Sequence, residues 1–135
     1  MTTEKQDILT ITKNYLKAIE ESKTADELAV YYSELVEQVE YPNLLIPNGA
    51  KRNLNDLKEA SLRGKKVLIS QNYDIQESYV VGNTVILEII WTAKIALPIG
   101  QTPSGGQIKA YFAQFIEFED GKIVRQRTYD CFEQF

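Results

Sequence analysis

The chain has 135 residues, 44% hydrophobic and 25% charged, with 15 basic residues against 19 acidic ones for a net charge of −4. That length suits one domain with its own core, and the composition excludes a disordered, collagen-like or disulfide-stapled chain. There is no histidine, which excludes an imidazole base and a histidine-ligated zinc; no basic stripe exceeds Arg63-Gly64-Lys65-Lys66, which argues against nucleic acid as a partner.

The N-terminal Met-Thr-Thr-Glu-Lys-Gln-Asp carries no apolar stretch of the kind a signal peptide needs. Apolar residues then recur at Ile8, Ile11, Tyr15, Leu16 and Ile19, the spacing of one helix stripe, and predict a helix over roughly 5–22. Thr24-Ala25-Asp26-Glu27 reads as a capping box. It opens a second helix over roughly 25–35, with Leu28, Tyr31, Tyr32 and Leu35 inward. Val36, Val39 and Tyr41 suggest a short strand that ends at Pro42. Asn53 caps a third helix over roughly 54–64, with Gly64 just beyond its end.

From Val67 onward the pattern is β. Gly82-Asn83 and Asp120-Gly121 each sit between β-rich runs and mark two hairpins. Leu97 to Gly106, rich in Gly and Pro and nearly uncharged, reads as the loop between them. Three helices at one end of an antiparallel sheet make an α+β domain spanning 1–135. The longest apolar run, Val85 to Trp91, is broken by Glu88 and is far short of the roughly 20 residues of a membrane span. Cys131 is the only cysteine, so no intrachain disulfide forms. These features point to the cytoplasm, with no membrane partner.

Counting across two-residue turns gives a first map of the sheet. Past Asp120-Gly121, Phe118 meets Ile123, Phe112 meets Tyr129, and Tyr111 meets Asp130, so Tyr111 and Asp130 share the face opposite Tyr129. Past Gly82-Asn83, Glu77 meets Glu88, Asp74 meets Trp91 and Tyr73 meets Thr92. Opposed carboxylates repel, so the Glu77–Glu88 pair needs a cation such as Arg125 or Arg127, a proton, or water. Tyr111–Asp130 reads either as an oriented base or anchor, or as a polar pair at the open end of the sheet. The aromatic groups Tyr15, Tyr31, Tyr41, Trp91 and Tyr129 suit either a small apolar pocket or plain core packing. Both faces of Val85–Ala93 are apolar, and the helices can cover only one, so a second copy is expected on the other, giving a homodimer through the sheet.

Val39-Glu40-Tyr41-Pro42, Gly82-Asn83-Thr84-Val85-Ile86-Leu87-Glu88, and Phe118-Glu119-Asp120-Gly121-Lys122-Ile123 followed by Arg127-Thr128-Tyr129-Asp130 together resemble the SnoaL-like proteins of the NTF2-like superfamily. The resemblance implies a cone of three helices on a curved antiparallel sheet around an apolar pocket, and dimers. Members include isomerases, cyclases, dehydratases, epoxide hydrolases and binding proteins. In the ketosteroid isomerase pattern the base is an aspartate just before the proline, where this chain has Tyr41. Cyclases of the group pair a histidine with an aspartate, and this chain has no histidine. Tyr41-Pro42-Asn43 matches the Tyr-x-Asn of limonene-epoxide-hydrolase-like members. Their final Arg-Asp-Tyr-Phe-Asp is answered here by Arg127-Thr128-Tyr129-Asp130-Cys131, with the aspartate one residue early.

Three functions remain open on the sequence. One is a pocket for a small apolar or aromatic molecule, with Tyr15, Tyr31, Tyr41, Asn43, Trp91, Tyr111 and Tyr129 as ligand-binding candidates. The second is a cofactor-independent isomerase, cyclase or epoxide hydrolase working through Asp130, Glu88 or Tyr41. The third is a dimeric interaction module without a ligand. No phosphate loop, metal-ligand cluster or nucleotide fingerprint is present in the sequence, so neither a cofactor nor a metal is expected.

Overall fold

A computed structural model describes residues 2–135, with side chains described from Ile8 onward; the first seven side chains lie outside the described residues. The first helix, α1 (Thr2–Glu20), buries Ile8, Thr12, Tyr15 and Leu16 along one stripe. Thr12 spends its hydroxyl on the Ile8 carbonyl at 2.8 Å, which lets a polar residue sit fully buried there. Helix α2 (Ala25–Ala29) opens on the expected capping box: the Thr24 hydroxyl accepts from the Glu27 amide and the Glu27 carboxylate from the Thr24 amide.

The second helix is shorter than its spacing suggests. It stops at Ala29, and Tyr32–Glu40 is strand β1, with Val36 3% exposed and Leu35 89% exposed. Neighbouring residues on opposite faces are the mark of a strand. The aromatic pair Tyr31-Tyr32 favours extended backbone, and the Lys122 ammonium takes the Val30 carbonyl at the helix end. A short strand, β2 (Ala50–Arg52), precedes helix α3 (Leu54–Val67), which is capped by Asn53 and Asp56. Gly64, expected just past this helix, lies inside it, because the turn Lys65-Lys66-Val67 remains helical.

Strands β3 (Leu68–Val81), β4 (Thr84–Ile95), β5 (Gln107–Glu119) and β6 (Lys122–Phe132) complete a sheet in the order β2-β1-β6-β5-β4-β3. Both turns are as read: Gly82 has φ +60°, and Asp120 and Gly121 have φ +50° and +76°, the left-handed values that tight hairpins demand. Every pairing is antiparallel except β1 with β6, which run parallel. The expectation of an all-antiparallel sheet is corrected at that pair. It is not a hairpin, since residues 41–121 lie between its strands, and only such a long crossover allows a parallel neighbour.

Two bulges decide which side chains face the helices. Between Ile75 and Glu77 the β3 register slips by one residue, and β6 slips by one between Ile123 and Arg125. Near the turns the counted pairs hold: Glu77 faces Glu88 and Phe118 faces Ile123. Beyond the bulges Tyr73 faces Trp91, Phe112 faces Asp130, and Tyr111 faces Cys131. The counted pairs Tyr111–Asp130, Phe112–Tyr129, Asp74–Trp91 and Tyr73–Thr92 are therefore replaced, because one extra residue reverses the face of everything after it. The concave face carries Leu87, Ile89, Trp91, Ile108, Phe112 and Ile116, all buried under the helices. The convex face carries Ile86, Glu88, Ile90, Tyr111, Phe115 and Tyr129. Among the described residues no helix is long and apolar enough to cross a membrane.

Candidate functional site

Between the helices and the concave face lies a cavity of about 560 Å3. Its two sides differ chemically. One is an aromatic wall: Trp91 stacks on Phe112 with centroids 5.4 Å apart, and Phe132 meets both edge-on at 5.9 and 6.2 Å. The indole N–H is spent on the Gln71 carbonyl oxygen at 3.0 Å, so the wall offers its apolar surface. Leu16, Ile19, Leu54 and Leu57 from α1 and α3 close the cavity from above.

Beside it on the same sheet face is a polar strip running across β2, β1, β6 and β5. Arg52 donates through Nη1 to Glu40 at 3.0 Å and to Gln38 Oε1 at 3.1 Å. Gln38 Nε2 donates to Gln126 Oε1 at 2.9 Å, and Gln126 Nε2 makes a long 3.5 Å bond to Gln114 Oε1. Tyr15 donates to Gln126 Oε1 at 3.3 Å and shares a short hydrogen bond with Tyr32. Gln114, Gln126 and Thr128 are each less than a tenth exposed, so these bonds are what make their burial tolerable.

Asp130 reaches the cavity beside this strip, and its one side-chain hydrogen bond among the described residues comes from the Thr128 hydroxyl. Burial pushes its carboxyl up to about 6; the Thr128 bond and the Arg52 charge oppose that rise, and the Glu40 charge adds to it. Arg52 does not neutralise Asp130 outright because it is already paired with Glu40, whose second oxygen accepts from Asn43 Nδ2 at 2.8 Å. Tyr73, on the facing strand β3, also lines the cavity. Burial chiefly, with Tyr15 and Asp130 adding, holds its phenol far above the ordinary value; burial likewise raises Tyr15 and Tyr32. All three phenols are neutral at physiological pH. A carboxyl that changes charge near neutrality, beside neutral phenols and amides in an otherwise apolar space, can exchange a proton with a bound molecule.

The sequence candidates divide between the two faces. Tyr15, Trp91 and Asp130 reach the cavity. Tyr31 stands behind it, tilted against Tyr15 at 5.6 Å. Tyr41 does not line the cavity mouth: it stacks on Tyr129 at 4.5 Å on the convex face. Tyr111 lies on that face too, donating to Glu133 at 2.6 Å rather than to Asp130. Tyr111 is outward because β5 alternates regularly about the inward Phe112, and Tyr129 because the β6 bulge gives odd-numbered residues there the outer side. Glu88 is exposed opposite Glu77, also outside the cavity, while Arg125 and Arg127 pair with Glu117 instead. Asn43 shapes the loop after β1, accepting from the Leu45 and Ile46 amides, and touches the site only through Glu40.

Sequence reasoning passed over Gln38, Glu40, Arg52, Tyr73, Gln114 and Gln126. One was visible: along β5 the inward positions run Ile108, Ala110, Phe112, Gln114, Ile116, Phe118, so Gln114 is the lone polar side chain on an apolar stripe.

No protein-family model matches the chain, and no curated protein sequence matches it. Solved structures do. IdmH of Streptomyces antibioticus, provisionally assigned as a polyketide cyclase, superposes with a TM-score of 0.75 over 91% of this chain and 91% of its own at 12% identity. A SnoaL-like polyketide cyclase from Agrobacterium tumefaciens gives 0.69 at 14% identity, covering 91% of this chain and 90% of its own. A protein with a ketosteroid isomerase-like fold from Catenulispora acidiphila, complexed with trimethylamine, gives 0.70 at 15% identity, covering 88% and 83%. At such identities the likeness speaks for architecture alone: helices on a curved six-stranded sheet, the NTF2-like fold that these structures share.

Proposed function

We propose that the whole chain acts as one SnoaL-like domain that binds a small, largely apolar or aromatic molecule in this cavity. The observation that carries the reading is the cavity's division into an aromatic wall, Trp91, Phe112 and Phe132, and a polar strip adjoining it on the same sheet face. Such a site suits a flat ligand with polar atoms on one edge. Trp91 is the only tryptophan, so its fluorescence is a direct test. Fused-ring aromatics should quench it saturably, and a Trp91→Phe variant should still bind them by calorimetry. Absence of saturable quenching across a panel of such compounds, together with no calorimetric binding, would defeat the reading.

Asp130 favours a second reading of the same site: proton transfer without a cofactor, as in an isomerisation, a cyclisation or an epoxide opening. Its carboxyl is buried, titrates near neutrality and has no cation of its own. Tyr73 takes the place of Tyr41 as the phenol beside it. The cyclase names among the structural neighbours keep cyclisation within this reading. We further place the protein in the cytoplasm, where the exposed free thiol of Cys131 suits a reducing environment. It is expected there as a homodimer through the convex face, where Tyr79, Tyr111 and Tyr129 are each about half exposed.

A further inference from the structure

The polar strip has a direction. Arg52 carries only donors, so the Gln38 side chain must turn its carbonyl oxygen toward it and its NH2 away. That NH2 donates to Gln126 Oε1, which fixes the second amide the same way round, and Tyr15 donating to the same oxygen reinforces the choice. Gln126 Nε2 in turn meets Gln114 Oε1. Three amides are thus aligned by one guanidinium, each accepting from the last and donating to the next, an arrangement in which every bond polarises its neighbour. The chain ends at Gln114 Nε2. That nitrogen has no acceptor among the described residues, although Gln114 is only 6% exposed and lines the cavity. No buried side-chain nitrogen or oxygen among the described residues is sealed away without a partner, so the unspent N–H opens into the cavity.

We propose that Gln114 Nε2 is the docking point for an acceptor oxygen on the ligand. The cavity on this view takes a neutral, flat aromatic molecule carrying a carbonyl group. The inference rests on the reading of the cavity as a small-molecule site. An unspent donor on an apolar stripe is costly unless something accepts from it, and a carbonyl is a strong neutral acceptor that needs no acceptor of its own. The aromatic wall beside it, with Phe112 two residues along the same strand, holds the ring system. Register then places the rest of the molecule. Gln114 sits opposite Thr128, and Asp130 opposite Phe112, so Gln114 and Asp130 are diagonal neighbours on adjacent strands, roughly 7–8 Å apart at the backbone. A ketone oxygen held by Gln114 leaves the carbon flanking the carbonyl in reach of Asp130.

The test compares two probes of nearly equal shape: naphthalene bearing an acetyl group, and naphthalene bearing an ethyl group. Their affinities are measured by Trp91 quenching. The native protein should favour the ketone by about tenfold, the worth of one buried hydrogen bond whose loss leaves a donor unpaired. Gln114→Leu should bind the ethyl compound within about twofold of the native protein, which also shows that it folds, and should lose most of the preference. In Gln114→Glu, assayed above neutral pH, the preference should pass to naphthol, which brings a donor. The carbonyl stretching band of the bound ketone should lie at lower frequency in the native protein than in Gln114→Leu. Equal binding of the two probes by the native protein, or a preference that survives in both variants, overturns the inference and leaves the small-molecule reading standing. Failure of both probes to bind overturns the two together.

Discussion

Asp130→Asn should make the protein more stable at neutral pH. Burial raises the carboxyl from its ordinary 3.8 to about 6. Between those two values the folded chain keeps a proton that the unfolded chain has released, so stability falls as pH rises through the window. Below it both states are protonated and nothing is lost; above it both are ionised and the full penalty persists. Two units at about 1.36 kcal/mol each give roughly 3 kcal/mol, and partial exposure of Asp130 trims this to about 2 kcal/mol. Asparagine removes the charge and keeps an oxygen for the Thr128 hydroxyl. Thermal unfolding at pH 7.5 should therefore show the variant melting higher by about 8 °C. At pH 3, below both values, the two proteins should melt together. A variant less stable than the native protein at pH 7.5 would mean that Asp130 is ionised and paired, most directly with Arg52, and would refute the account of a partnerless carboxyl. The gain in stability should accompany a loss of proton transfer to any turned-over ligand, since a site that holds a reactive charge in apolar surroundings is built against stability.

Two further outcomes follow from neighbouring features. The Arg52–Glu40 pair has side chains only 14% and 12% exposed, so Arg52→Gln or Glu40→Gln alone should cost about 3 kcal/mol in chemical denaturation by stranding the other charge; the double variant should cost less than either alone, and simple additivity would show that the two do not act as a pair. The native protein should sediment at micromolar concentration with twice the 15.4 kDa chain mass; replacing Tyr79 and Ile90 on the convex face by lysine should give a monomer that retains ligand quenching of Trp91, and a native monomer would refute the dimer.

How far this could be read in the sequence depended on whether a feature has its own residue chemistry. Asp120-Gly121, Gly82-Asn83 and the Thr24–Glu27 box announce themselves, because few other residues satisfy those backbone conformations and orphan amides. The end of α2 does not: Leu28, Tyr31, Tyr32 and Leu35 fit a helical stripe as well as the start of a strand, and only the packing of Val36 inward and Leu35 outward decides. The bulges at Gln76 and Val124 are quieter still. Neither residue differs in kind from its regular neighbours, so counting back from a correct turn gives correct pairs up to the bulge and reversed faces after it. The site was lost at that step. A regular β6 would pair Asp130 with Tyr111 on the outer face; the inserted Val124 turns Asp130 inward beside Phe112 and sends Tyr129 out to Tyr41. The same slip in β3 brings Tyr73 in against Trp91. Each bulge turns one proton-bearing group into the cavity, Asp130 from β6 and Tyr73 from β3. The chemistry of the pocket therefore hangs on two extra residues with no chemistry of their own.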